Sequence, residues 1–411
     1  MVEKLTKERV LVCGAYTQKE KEHFQSSMEE LKRLVETAQG EVIVENIQHR
    51  EDIDQKTVLG KGKIAEIQEQ VIAENIDLVV VNTSLTPRQL ANLEEILPCR
   101  VIDRTQLILD IFALRARSKE GKLQVAKAQI DYLLPRLTVM NGHLSKLGGG
   151  IGTRGPGETK LETDRRHLHR QQLRIQKELK EVKKHRELAR KNRTQNSGLN
   201  IGLVGYTNAG KSTFLNVLTQ AETYEKDELF ATLDPLTRQY RLKEGLKMTF
   251  TDTVGFIQDL PTTLVEAFHS TLEETQNMDL LFHIVDASSP ERDEQEKTVL
   301  RLLDELGCQS IPVLTIYNKM DQVEGDFVPT QFPHLCLSLK EKGAKEEIET
   351  GIIKFLQKIW QPYTYSLPVS EVQKIYALQE FTLVEKMEFS EEETYNITGY
   401  GNQKYAYLYE K

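Results

Sequence analysis

Apolar and polar residues alternate along the first quarter of the chain with two different periods. Short β-branched runs at Arg9 to Tyr16, Glu41 to Ile47, Asp77 to Asn82 and Arg100 to Ile102 read as strands. Between them, stretches such as Lys21 to Ala38 and Lys63 to Asn75 repeat their apolar residues at helical spacing. Regular alternation of the two predicts a small α/β layer on a parallel sheet. After Arg117 the pattern becomes purely helical: Leu123, Ala126, Ile130, Leu133, Leu134 and Leu137 form one stripe, which Pro135 should kink or end. Leu161, Leu168, Ile175, Val182 and Ala189 then recur at steps of seven, supported by Leu179 and Leu188, which predicts a second helix to about Arg193 with a coiled-coil seam. The two helices most simply pack as an antiparallel hairpin. A second α/β pattern follows, with strands at Ile201 to Val204, Leu246 to Thr251 and Ile311 to Tyr317. In the tail, Val369 to Val384 looks helical, and Lys386 to Phe389, Tyr395 to Thr398 and Lys404 to Tyr409 read as short strands.

The chemistry is concentrated in that second α/β pattern. Gly205, Tyr206, Thr207, Asn208, Ala209, Gly210, Lys211, Ser212 and Thr213 have the spacing of a phosphate-binding loop between a strand and a helix. The two glycines let backbone N–H groups curl toward phosphate oxygens, Lys211 supplies charge to the β and γ phosphates, and Ser212 offers a hydroxyl to Mg²⁺. Asp252, Thr253, Val254 and Gly255 end the next strand, where the carboxylate can hold Mg²⁺ through water and the Gly255 N–H can meet the γ-phosphate. Asn318, Lys319, Met320 and Asp321 follow a third strand, and the Asp321 carboxylate there can accept two hydrogen bonds from guanine. Adenine has no matching donor pair. Between these motifs Phe230, Ala231, Thr232, Leu233, Asp234 and Pro235 form a switch segment, with Thr232 as a second hydroxyl for Mg²⁺. The motifs in this order predict a GTPase that binds GTP and GDP with Mg²⁺, with Lys211, Thr232 and Gly255 as its catalytic groups.

Length, charge and cysteines bound the rest. At 411 residues the chain exceeds one ordinary domain. The pattern divides it into an N-terminal α/β domain at 1–117, a helical hairpin at 118–195, a P-loop GTPase domain at 199–364 and a small α+β C-terminal domain at 365–411. Net charge is −8, yet Arg165 to Arg193 carries twelve basic residues against Glu178, Glu181 and Glu187. Such an arm suits a nucleic-acid backbone. It follows a glycine-rich tip, Gly148–Gly157, whose Gly150, Gly152 and Gly155 match a dinucleotide fingerprint only formally, because a helix and not a strand precedes them. The loop Leu59-Gly60-Lys61-Gly62-Lys63 has anion-binding composition but is more often a polar turn. Cys13, Cys99, Cys308 and Cys336 lack metal spacing and read as reduced core thiols. No apolar run approaches the roughly 20 residues needed to span a bilayer, and no signal-peptide core opens the chain. A cytoplasmic monomer is the expectation.

The stretch from Gly148 through Lys160 to Arg166 resembles the signature of the HflX GTPases, as do Phe230 to Pro235 and Asp252 to Ile257. The resemblance implies a factor that binds the large ribosomal subunit, reaches ribosomal RNA with the Gly148–Gly157 loop and the Arg165–Arg193 helix, and splits stalled or idle ribosomes. It also implies a secondary ATPase activity in some relatives. Two positions depart from the family pattern: Lys160, where glutamine is usual, and Ser338, Leu339 and Lys340, where Ser-Ala-Lys usually completes the guanine pocket. Phe256 stands where many small GTPases carry the glutamine that orients water, so intrinsic hydrolysis should be slow. Asn208 matches the asparagine that holds K⁺ in potassium-dependent GTPases, or it is a turn residue tolerant of positive φ. An ATP-driven RNA remodelling enzyme and a protein-binding signalling GTPase are the competing readings.

Overall fold

Leu78–Val81 is buried at every position, as a strand covered on both faces requires. In the computed structural model it is β3 of a four-stranded parallel sheet, with β1 (Arg9–Tyr16), β2 (Glu41–His49) and β4 (Arg100–Asp103), in the order β2-β1-β3-β4. The structure describes residues 7–140, 156–194, 198–219, 229–230, 236–253, 255–258, 275–390 and 393–410. These form two compact units. The first runs to Arg186 and includes Leu229, Phe230 and Gln258; the second holds the other described residues.

In the first unit, Leu11, Val79, Val81, Ile64, Ile67 and Leu93 form the core between sheet and helices. The Lys119–Met140 helix packs against the helices Pro87–Ile96 and Arg104–Arg115. It runs past Pro135, so of the two expectations for that proline, a kink or an end, the end does not occur. An interior proline costs about 3 kcal/mol, and here Tyr132 and Arg136, both buried, hold that turn against Asp103 through the hydroxyl and guanidinium. The second hairpin helix spans Pro156–Thr194 and opens on a proline, whose missing N–H is harmless at a helix start. Asp131 meets Gln172 at 2.6 Å, and Leu134 and Pro135 share a cavity of about 730 Å³ with Glu162, Arg165, Arg166, His169 and Arg170. Advancing along one helix means receding along the other, so the pair is antiparallel. The heptad residues Leu168, Ile175, Leu179 and Val182 are only half-buried.

The second unit is built on a six-stranded sheet ordered β10-β9-β8-β5-β7-β6, from β5 (Leu199–Gly205), β6 (Leu236–Arg241), β7 (Lys247–Asp252), β8 (Leu280–Asp286), β9 (Val313–Asn318) and β10 (His334–Cys336). All pairings are parallel except β6 with β7. The edge strand β6 alternates half-buried and exposed residues and escaped the sequence reading because it carries so few apolar ones. Cys336 is exposed on the other edge, which corrects its reading as a core thiol; Cys99 is half-buried, while Cys13 and Cys308 are buried.

A three-stranded antiparallel sheet, β11-β13-β12, closes the chain: β11 (Gln361–Pro368), β12 (Leu383–Ser390) and β13 (Thr394–Gly401). Residues Gln403–Leu408 are a 3₁₀ helix and not the expected strand, because Asn402 caps it by accepting from the Lys404 N–H. The tail's tyrosines divide. Tyr363, Tyr405 and Tyr409 fill the small core, the first and last rings stacked 4.6 Å apart, while Tyr376 and Tyr407 are exposed.

Candidate nucleotide site

β5 lies between β7 and β8, with β6 and β7 added on one side of it and β8 to β10 on the other, and at such a switch point the carboxyl ends of an open α/β sheet form a ligand crevice. The phosphate loop sits there. Gly205 has φ 151°, and a Cβ on it would lie 2.2 Å from the Ile284 carbonyl; Gly210 has φ 105°, and a Cβ there would lie 2.3 Å from Asn318 Nδ2. Only glycine fits either place. Lys211 opens the helix Lys211–Thr219, is buried, and its Nζ donates to the carbonyls of Gly205 at 3.0 Å and Tyr206 at 2.8 Å. The ammonium is thereby curled over the loop. Burial pushes Lys211 down to about 8, with the Asp252 carboxylate acting in the opposite direction.

Two of the predicted motifs converge on this loop. Ser212 Oγ donates to Asp252 Oδ2 at 2.8 Å, so a hydroxyl and a fully buried carboxylate sit side by side at the end of β7. Oxygen donors of this kind fit Mg²⁺. A Cβ on Gly255 would fall 2.9 Å from Lys211 Nζ, which places that backbone against the phosphate-loop lysine. The loop is fastened by Thr207 N–H to Phe256 O at 2.8 Å and Phe256 N–H to Gly205 O at 3.2 Å. The Phe256 side chain is buried with Tyr206, Val204 and Leu281. It is core and not a water-orienting group. Thr253 Oγ1 donates to the Leu203 carbonyl at 2.7 Å and is committed to the sheet.

The third strand end carries the Asn-Lys-x-Asp residues. Asn318 bridges the motifs: its Nδ2 donates to Ala209 O at 3.0 Å, and its Oδ1 accepts from Leu339 N–H at 3.1 Å. Lys319 takes φ 62° and pairs with Asp286 at 2.6 Å. Met320 and Asp321 lie in a 3₁₀ turn; Asp321 is exposed and accepts from Ser338 Oγ at 2.6 Å, the bond that holds its carboxyl below the usual range. The departure from Ser-Ala-Lys leaves the serine's contact in place, while the larger Leu339 is buried in the main core. Lys340 is exposed.

Other predicted positions behave differently. Phe230 is buried in the first unit against Phe112, while Ala231, Thr232, Leu233, Asp234, Pro235, Val254 and Gly148 to Gly155 lie outside the described residues. Asn208 is exposed with φ 62°, which gives the asparagine a backbone reason for being there. In the Leu59–Lys63 loop, Gly60 N–H is taken by Gln48 and Lys63 pairs with Glu66. The sequence reading missed Asp286, an acidic strand end that fixes the Lys319 ammonium, and His283 on β8. His283 is buried near Lys211, and its Nδ1 has no partner among the described residues.

A parallel sheet whose successive strand ends carry a phosphate loop, Asp-x-x-Gly and Asn-Lys-x-Asp defines a P-loop GTPase. Family models match in chain order: a GTP-binding GTPase N-terminal domain at residues 25–113, a GTP-binding GTPase middle region at 115–193, and a 50S ribosome-binding GTPase at 200–319. The chain is 47% identical to GTPase HflX of Alkalihalophilus pseudofirmus, across 96% of this chain and 93% of that protein. It is 45% identical to GTPase HflX of Caldanaerobacter subterraneus subsp. tengcongensis (94% and 89%) and to that of Escherichia coli (74% and 71%). The chain belongs to the HflX family of GTPases, as the resemblance in its glycine-rich signature indicated. It is a guanine-nucleotide-binding enzyme that hydrolyses GTP.

Proposed function

We propose that this GTPase binds the large ribosomal subunit and uses GTP to separate stalled or idle ribosomes into subunits. The observation that carries the reading is the long helix Pro156–Thr194, which exposes Arg165, Arg166, Arg170 and Arg174 in a chain that is otherwise acidic, within a GTPase whose third domain matches a ribosome-binding family. Exposed arginines along a helix meet RNA phosphates without reading sequence.

At the nucleotide, Gly205 to Thr213 cradle the phosphates and Lys211 neutralises the β and γ oxygens. Asp321 receives the guanine edge, with the Asn318 and Ser338–Lys340 segments completing the pocket. Ser212 and Thr232, with Asp252 through water, would hold Mg²⁺, which would neutralise charge on the phosphates. The Gly255 N–H and the Thr232 loop meet the γ-phosphate and release it after hydrolysis. Because Phe256 is core, no side chain at that position orients water, and the ribosome accelerates a slow reaction by ordering these loops. Asn208 needs no cation to explain it, so potassium adds little to this account.

Sedimentation of intact ribosomes with the protein and GTP tests the splitting step. The expected result is conversion to free subunits that requires hydrolysable GTP; intact ribosomes at saturating protein would contradict it. Deleting Gly148–Gly157 tests the loop: subunit stimulation should vanish while GTP affinity stays within about twofold. Retained stimulation would exclude the loop from the contact.

A further inference from the structure

We infer that the helix Arg104–Arg115 is a coupler that ties the RNA-reaching hairpin to both nucleotide-sensing segments, with Arg104 and Phe112 as positioning residues for GTP hydrolysis. The inference rests on the reading of Gly255 and Thr232 as γ-phosphate sensors, and all the side chains in it belong to the first unit.

Asp103 and Arg104 are consecutive residues at the start of this helix, at the carboxyl end of β4, and both are buried. Asp103 faces the hairpin. Its carboxylate accepts from Tyr132 Oη at 2.9 Å and Arg136 Nη2 at 3.2 Å, both on the Lys119–Met140 helix, and from Leu85 N–H and Gln106 N–H. Arg104 faces the other way. Its guanidinium pairs with Glu30 and donates to Asn82 Oδ1 at 2.9 Å and to the backbone carbonyl of Gln258 at 3.3 Å. Gln258 is itself held by Ser26, whose Oγ accepts from Nε2 at 2.6 Å. Along the chain, Gln258 is the third residue after Gly255.

Phe112, two turns further along the same helix, meets the second segment. Its ring packs edge-on against Phe230 with centroids 4.6 Å apart, and both rings are buried. Phe230 takes φ 55°, a conformation a phenylalanine adopts only where its surroundings hold it. Thr232 is the second residue after it. One rigid helix therefore grips the chain close to each predicted γ-phosphate sensor, and its N-cap residue, Asp103, grips the hairpin. Buried charges that must stay paired resist intermediate positions, so a displacement of the hairpin helix moves the Asp103–Arg104 pair as a unit. Linkage is reciprocal: RNA contact biases the sensors, and nucleotide state biases the hairpin.

Removing Arg104 strands Glu30 and risks unfolding, so the test uses two conservative variants, Ser26→Ala at the sensor end and Tyr132→Phe at the hairpin end. Each should lower large-subunit-stimulated kcat about threefold to tenfold, with basal kcat and KM for GTP unchanged and cooperative thermal unfolding retained. The double variant should be no worse than the worse single one. Equal stimulation in wild type and both folded variants would overturn the coupling. A second arm needs no ribosome: amide exchange of residues 119–140 should differ between the protein with GDP and with a non-hydrolysable GTP analogue, and Ser26→Ala should abolish the difference. A wild-type protein whose hairpin exchange ignores the nucleotide refutes the coupler whatever ribosomes do. If exchange responds but subunits fail to stimulate turnover, the ribosomal reading fails and the coupler stands.

Discussion

Asp321 is the residue on which nucleotide choice is proposed to turn. It is exposed, its carboxyl is held ionised by Ser338, and it closes a set of contacts that begins at Ala209 and passes through Asn318. In Asp321→Asn the side chain loses one acceptor and gains a donor that complements xanthine. GTP affinity should fall about 100-fold or more, with xanthosine triphosphate binding gained; titration with both nucleotides checks this, and unchanged GTP affinity would refute the base-pocket assignment. His283 makes a separate prediction. Burial, and then the neighbouring Lys211, push its imidazole down to about 4 from an ordinary 6.5. Between those values the unfolded chain binds the extra proton, so His283's contribution to stability is complete above pH 6.5 and is lost as pH falls toward 4. The effect is about 3 kcal/mol at most. Denaturation midpoints across that window should be flatter in His283→Gln; parallel acid limbs would deny His283 the effect.

Elements differ in how far the sequence discloses them, and contact range is the reason. The phosphate loop was legible because a strand, a turn and a helix start carry its whole geometry within a few neighbouring residues. Parallel strands such as β3 were legible because burial on both faces leaves unbroken apolar runs such as Leu78–Val81; β8 (Leu280–Asp286), whose buried run is interrupted by His283, went unread. β6 was not, since an edge strand needs few apolar residues, and the 3₁₀ helix Gln403–Leu408 was misread because its tyrosines suit a strand equally well. Pro135 stays inside a helix because tertiary contacts to Asp103 outweigh local preference. The Arg104–Gln258 contact joins residues 154 positions apart, and no local pattern announces it. For the Pro156–Thr194 helix, replacing Arg165, Arg166, Arg170 and Arg174 with glutamine should weaken subunit binding. Each lost phosphate contact should lower the slope of log affinity against log salt by about 0.7–1. An unchanged slope would mean that these arginines face solvent in the complex.

At the scale of the whole molecule, the chain joins a guanine-nucleotide site to a basic hairpin, and its family membership makes it a GTPase. No helix among the described residues is long and apolar enough to cross a membrane. The side chain that follows Gly255 does not orient water, since Phe256 is packed with Tyr206 and Leu281. We propose that the ribosome supplies what that position does not. The direct measurement is GTP turnover by the purified protein with and without purified large ribosomal subunits, across a series of salt concentrations. Slow basal hydrolysis, accelerated at least tenfold by large subunits and declining steeply as salt weakens the association, is the predicted result. Turnover that large subunits leave unchanged at every salt concentration would contradict it.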